Sequence, residues 1–173
     1  MTRVELEQCI NEYGTEIYSF CKHLTGSKQE ADDLYQDTFL KAVELQEKIS
    51  RKDNPKGYLL SVAVRLWRNR KRKLIWRNRI APMVSIAEEQ ENVELYDRKH
   101  SPEESCIVNE EKRLVQNAVD KLPEKMKVCV LLFYMEELSV TEMANLLKLP
   151  EGTVKSRLYK ARKILVKELE NVL

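Results

Sequence analysis

The chain has 173 residues, 43% of them hydrophobic, with only four glycines and five prolines; that allows one or two small domains with real cores, and the near absence of strand-like alternation predicts an all-α fold. No apolar run approaches the roughly 18 residues of a membrane span, the start MTRVELEQ is not a signal peptide, and Cys9, Cys21, Cys106 and Cys129, scattered with two histidines, lack zinc-ligand spacing. The expectation is a cytoplasmic chain with buried thiols and no metal or cofactor, whose net charge of +2 conceals zones of −5 (residues 1–50), +10 (51–81), −7 (82–111) and +4 (112–173).

In chain order, the first predicted helix covers about Val4 to Leu24. Leu6, Ile10, Tyr13, Ile17, Phe20 and Leu24 recur every three or four residues and form one buried stripe. Thr25-Gly26 ends it, glycine suiting the left-handed cap position. Ser27 and Glu30 have the spacing of a capping box that opens a second helix, expected to run to about Lys48. Ala31, Leu34, Tyr35, Thr38, Phe39, Ala42 and Leu45 face inward. Asp32, Asp33, Gln36 and Asp37 take the other sides near its start. The helix dipole accounts for part of that acidity; a docking face for a basic partner is the other reading.

A loop over 49–54 follows. Asn54 can cap and Pro55 suits a first turn, which predicts a third helix. It starts apolar (Tyr58, Leu59, Val62, Ala63, Leu66) and becomes basic at Arg68, Arg70, Lys71, Arg72, Lys73, Arg77 and Arg79. Trp67 and Trp76 lie between these cations. Such a mixture fits phosphate neutralisation and base stacking, or simple packing at a helix end; for Trp67 the two readings weigh equally. These helices make a first unit over residues 1–81.

Residues 82–100 are acidic and have no sustained apolar period, so they read as a linker. Its charge keeps it off DNA and suits a basic channel on a protein partner. Ser101, Pro102 and Glu104 then restart helix, with Ile107, Leu114, Val115 and Ala118 on its inner face. Leu122-Pro123-Glu124 breaks the chain before a short buried helix holding Val128, Leu131 and Leu132. Ser139 and Glu142 fit a further capping box. Val140, Met143, Ala144 and Leu147 follow at helical spacing, and Pro150 stops this helix. The last helix sets Val154, Leu158, Ala161 and Leu165 on one side, with Lys155, Arg157, Lys160, Arg162 and Lys163 over the rest. Two short helices at a sharp turn, the second basic, are the pattern of a helix-turn-helix; an ordinary helical hairpin is the plainer reading. This makes a second unit over 101–173.

Three segments together resemble the sigma-70 family of bacterial RNA polymerase initiation factors, and most closely its extracytoplasmic-function (ECF) subgroup. They are EADDLYQDTFLKA (Glu30 to Ala42), NPKGYLLSVAVRLWRNRKRK (Asn54 to Lys73) and the stretch from Lys121 to Leu165 that contains LPEGTVKSRLYKAR. Their order and the intervening linker match as well. The resemblance implies that residues 1–81 are sigma region 2 and 101–173 sigma region 4. It implies that Asp33, Gln36 and Asp37 contact core RNA polymerase. It implies that Lys56, Tyr58, Arg65, Arg68 and Asn69 serve the melted minus-ten strand, where a base is flipped into a pocket. On the last helix, Lys155, Ser156, Tyr159 and Lys160 match positions that read the minus-thirty-five duplex, and Thr153, Arg157 and Arg162 match phosphate contacts. Promoter DNA and an anti-sigma factor are the further partners implied, and no catalytic residue is.

Two departures bear on specificity. Arg65 stands where many relatives have asparagine, and arginine offers no acceptor. Lys160 stands where arginine is common, and lysine lacks the bidentate fork for guanine. The alternative reading is a conventional helix-turn-helix regulator without polymerase docking.

Overall fold

The computed structural model describes residues 2–45, 47, 54–80 and 102–171, the side chains of 102–109 excepted. Residues 49–53 of the expected loop, the linker 82–100, the Ser101 cap and the side chains of Cys106 and Ile107 lie outside the described residues. Among those described, the elements are helices without strands: α1 Arg3–Thr25, α2 Lys28–Glu44, α3 Pro55–Ile80, α4 Pro102–Asp120, α5 Glu124–Val130 continued by a π turn Leu131–Met135, α6 Val140–Leu147 and α7 Glu151–Glu170. They gather into two compact units, α1–α3 and α4–α7.

In the first unit α1 packs on α2 and both pack on α3. The predicted stripe of α1 is inside: Leu6, Ile17, Phe20 and Leu24 are buried, with Cys9 and Cys21 beside them. Thr2 and Glu5 form a capping box ahead of α1, which the sequence reading passed over. Gly26 takes the left-handed conformation (φ 76°) that ends α1, a backbone state without penalty for glycine alone. Gly14 has a different purpose, since a Cβ there would stand 2.9 Å from the Tyr35 hydroxyl. Its missing side chain lets α2 approach α1.

Helix α2 ends at Glu44, short of the expected Lys48. Leu45 leaves helical geometry (φ −106°, ψ 11°), and its N–H closes on the Lys41 carbonyl. Only one arm of the expected box is made at its start, where the Glu30 N–H donates to Ser27 Oγ at 3.3 Å. The inward residues are as expected, with Ala31, Leu34, Thr38, Phe39 and Ala42 buried. Thr38 is satisfied locally, its hydroxyl donating to the Leu34 carbonyl at 2.7 Å.

Asn54 opens α3 by accepting the Gly57 N–H at 2.9 Å. Leu59, Leu60, Val62, Ala63, Val64 and Trp67 of α3 close the core. Trp67 is only 4% exposed, so the stacking reading of that residue is wrong. Its ring fills the last turn of α3 still covered by the bundle, and every residue from Arg72 to Ile80 is exposed.

In the second unit α7 packs against α4, α5 and α6. Val115 is 48% exposed, contrary to expectation. The inner face of α4 instead runs through Ala118 and Val119, with Leu122 buried just beyond its end, because the helix is rotated to put Val119 inward. The Lys127 ammonium is nearly buried and meets Asp120 Oδ1 at 2.7 Å, tying α5 to the end of α4. Val128, Cys129, Leu131 and Leu132 form the centre of this core.

At the start of α6 both arms of the Ser139–Glu142 box are present. The Ser139 hydroxyl, then its backbone N–H, hold the Glu142 carboxyl below its ordinary value. A depressed folded pKa contributes stability that is present above the unfolded value, near 4.5, and lost as pH falls through the folded one. Replacing Ser139 with alanine should cost about 1 kcal/mol at neutral pH. Urea unfolding at pH 7 and in acid should show the gap from wild type narrowing below the ordinary carboxylate range.

Candidate nucleic-acid and partner interfaces

The turn between α6 and α7 is built by two residues. Lys148 is left-handed (φ 54°, ψ 50°) and closes α6; Pro150 stands at the N-terminal boundary of α7. The Thr141 hydroxyl donates to Glu151 Oε1 at 2.7 Å, joining the two helices at their starts. Val154, Leu158 and Ala161 are buried, which fixes the rotation of α7. At about 100° per residue, that rotation turns Lys155, Ser156, Tyr159, Lys160 and Lys163 to the opposite side, and all five are exposed. Lys155 lies 3.9 Å from Glu151, and the Lys163 ammonium sits over the Tyr159 ring at 4.8 Å. Neither arrangement is buried, so both lysines stay available to an anion.

Thr153 and Arg157 are half-buried and stand to one side of that face. With Gly152, Ser156 and Lys160 they line a shallow groove whose other wall is Pro123 to Met126 at the start of α5. Four of the seven expected positions on α7 thus share this groove. Arg162 stands apart. Its Nε donates to the Tyr134 hydroxyl at 2.8 Å, and its guanidinium lies over the Phe133 and Tyr134 rings at 5.6 and 5.8 Å. The sequence reading missed Tyr134, since nothing in a single chain pairs it with a residue 28 positions away.

In the first unit, Asp33, Gln36 and Asp37 are exposed on one side of α2. Asp37 accepts from Arg70 of α3 at 2.5 Å, whereas Asp33 makes no ion pair among the described residues. Asp32 is turned aside and accepts from the Tyr18 hydroxyl at 2.6 Å. That bond, more than burial, raises the Tyr18 pKa. Leu40 and Val43 are also exposed, at 64% and 47%, and helical spacing puts them beside Gln36 and Asp37. The outer face of α2 is therefore acidic toward its start and carries two apolar residues, Leu40 and Val43, toward its end. The signal was there in the sequence, because Leu40 falls off the buried stripe that Phe39 and Ala42 define.

On α3, Arg65 is exposed and Tyr58, Arg68 and Asn69 are half-buried. By helical spacing Tyr58, Arg65 and Asn69 lie on the side away from Leu60, Ala63 and Trp67, and Arg68 lies between the two sides. Asn69 accepts a hydrogen bond from Arg72. Lys56 is paired with Glu16 of α1, so it also anchors the start of α3. From 54 to 80 the chain carries no carboxylate at all.

Comparison with known proteins fits this division. The family model of Sigma-70 region 2 matches residues 9–77, and that of Sigma-70 region 4 matches residues 112–165. The chain belongs to the sigma-70 family. It is 28% identical over 172 residues to the ECF RNA polymerase sigma factor SigW of Bacillus subtilis, covering 94% of this chain and 88% of that one. It is 26% identical over 168 residues to the RNA polymerase sigma-H factor of Pseudomonas aeruginosa, covering 94% and 84%. In fold it is similar to the sigma factor RpoE of Bartonella quintana, solved in complex with the anti-sigma factor NepR, with a TM-score of 0.80, 20% identity and coverage of 96% and 97%. This sigma-70 chain is a transcription initiation factor of the ECF group. Among its described residues no helix is long and apolar enough to cross a membrane.

Proposed function

We propose that the chain joins core RNA polymerase through α2, reads the minus-thirty-five duplex with α7 and captures the melted minus-ten strand along α3. In this reading residues 1–81 act as region 2 and residues 101–173 as region 4, joined by the acidic linker 82–100. The mechanism is binding alone: no bond is made or broken by this protein, and it works in the cytoplasm where polymerase is. An anti-sigma factor is a fitting regulator, as for the RpoE relative solved with NepR.

The observation that carries the proposal is the presence of an acidic face and a basic helix within one three-helix unit. Exposed Asp33, Gln36 and Asp37 suit a basic protein surface, and the carboxylate-free α3 beside them suits a polyanion. A conventional regulator needs the second face but has no use for the first. On α3, Tyr58, Arg65, Arg68, Asn69 and the neighbouring Lys56 would hold the displaced strand. On α7, Lys155, Ser156, Tyr159 and Lys160 would face base edges, while Thr153 and Arg157 in the groove would take phosphates. Arg162 would reach phosphate only from its seat on Tyr134, so its part is to fix that edge of α7.

Lys160 provides the test of the duplex-reading half. Its replacement by alanine should relax base preference at one upstream position by about 1–3 kcal/mol in a promoter-variant binding series with the polymerase complex. A loss equal at every sequence would make Lys160 a phosphate contact only.

A further inference from the structure

Beyond the candidate minus-ten residues, α3 continues for more than two turns that no other described element covers. Every residue from Arg72 to Ile80 is exposed, and Trp76 is 65% exposed. An indole so placed is costly to leave in water, and its position along the helix is not arbitrary. Tyr58, Arg65, Arg72 and Arg79 are seven residues apart in succession. Seven residues fall about 20° short of two full turns, so the four lie along a single slowly drifting line. Trp76 lies on that line, between Arg72 and Arg79, eighteen residues or five turns from Tyr58. Of the exposed aliphatic residues of the same segment, Leu74 falls on another side, continuing the row of Ala63 and Trp67, whereas Ile75 and Ile80 flank the line, Ile75 four residues before Arg79 and Ile80 four after Trp76. Trp76 is thus the aromatic neighbour of a basic stripe, and its 65% exposure sets it outside the bundle core.

We infer that Trp76 is a stacking platform for single-stranded DNA, and that the strand-binding track of α3 runs from Tyr58 to Arg79. This rests on the proposed capture of a melted strand by α3 and names its further end. The chemistry is that of sequence-tolerant strand binding, in which cations take the backbone and an exposed ring takes a base face. Arg72, Lys73, Arg77 and Arg79 make no ion pair among the described residues, so their charge is available to phosphates on either side of the ring. The span is about 32 Å at 1.5 Å per residue, the length of about nine nucleotides at the rise of a stacked strand. A protein partner with acidic groups is the competing occupant; the common line with Tyr58 and Arg65 favours a continuous strand.

The two tryptophans make the test direct, because Trp67 is buried and Trp76 is not. The full chain is titrated with an oligothymidylate of about twelve nucleotides, longer than the stripe. Trp76 emission should be quenched, and the quenching should vanish in Trp76→Phe. Trp76→Ala should weaken binding about tenfold or more, while Trp76→Phe keeps most of the affinity. Arg65→Ala tests the underlying reading separately. If Arg65→Ala weakens binding and Trp76→Ala does not, the track stops short of Trp76 and this inference fails while the capture face stands. If neither weakens it, both fail. A wild-type emission that responds to core polymerase but not to the oligonucleotide makes Trp76 a protein contact and overturns the inference.

Discussion

Replacing Asp33 with lysine should weaken binding of core RNA polymerase by about 2 kcal/mol or more, a factor of roughly thirty, while leaving the helical unit folded. Asp33 is exposed and makes no ion pair among the described residues, so its charge can be reversed without disturbing a structural contact. Asp37 is a less clean target. Its bond to Arg70 braces α2 against α3, and Asp37→Lys would set two cations against each other at that joint. Surface pairs of this kind contribute little to stability, so Asp37→Lys should lose polymerase binding at least as severely and soften the unit slightly. Surface-immobilised core enzyme measures the affinities, and circular dichroism checks the fold. If Asp33→Lys bound as wild type, the acidic face of α2 would be ordinary helix-dipole chemistry and the docking assignment would fail.

Phe20→Ala should destabilise the first unit by about 3–5 kcal/mol. Phe20 is fully buried at the centre of α1, between Ile17 and Leu24, and truncation there leaves a cavity that three closely packed helices cannot easily close. A unit of about 80 residues has only about 4–12 kcal/mol in total. The mutant's α1–α3 unit should therefore be partly or wholly unfolded at 37 °C. The α4–α7 unit has its own core around Val128, Leu132, Met143 and Val154, and its unfolding transition should stay where it is in wild type. Leu158→Ala should show the reverse pattern, at about 2–5 kcal/mol. Thermal unfolding followed by hydrogen exchange distinguishes the units. A Phe20→Ala chain that lost protection equally in α6 and α7 would mean the two units do not fold independently.

Much of this architecture was legible in the sequence because helices in water advertise themselves. The α1 stripe, the Gly26 cap, the Ser139–Glu142 box and the Pro150 break each follow from periodicity or local backbone chemistry, and each is present. What periodicity leaves open is rotation: Val115 and Val119 both fit the apolar spacing of α4, and only packing against α7 decides that Val119 goes in. The π turn at Leu131–Met135 inserts extra backbone without a local marker. The two tryptophans show the same limit. Both sit among cations, but Trp67 lies on the last covered turn of α3 and Trp76 beyond it, and no single-chain pattern says where a neighbouring helix ends. Long-range pairs such as Arg162 with Tyr134, or Asp37 with Arg70, depend on tertiary contact entirely. Of the candidate site, the faces were readable and the internal partners were not.

The central claim is that this protein confers promoter choice on core RNA polymerase. It is tested most directly by transcription from a promoter library with purified core enzyme, with and without the protein, followed by mapping of transcript starts. The account predicts new, discrete starts preceded by two shared sequence elements, one upstream in duplex DNA and one at the melted region, and their loss with Asp33→Lys. An absence of specific transcripts with core enzyme, together with tight binding of a DNA site by the protein alone, would contradict it.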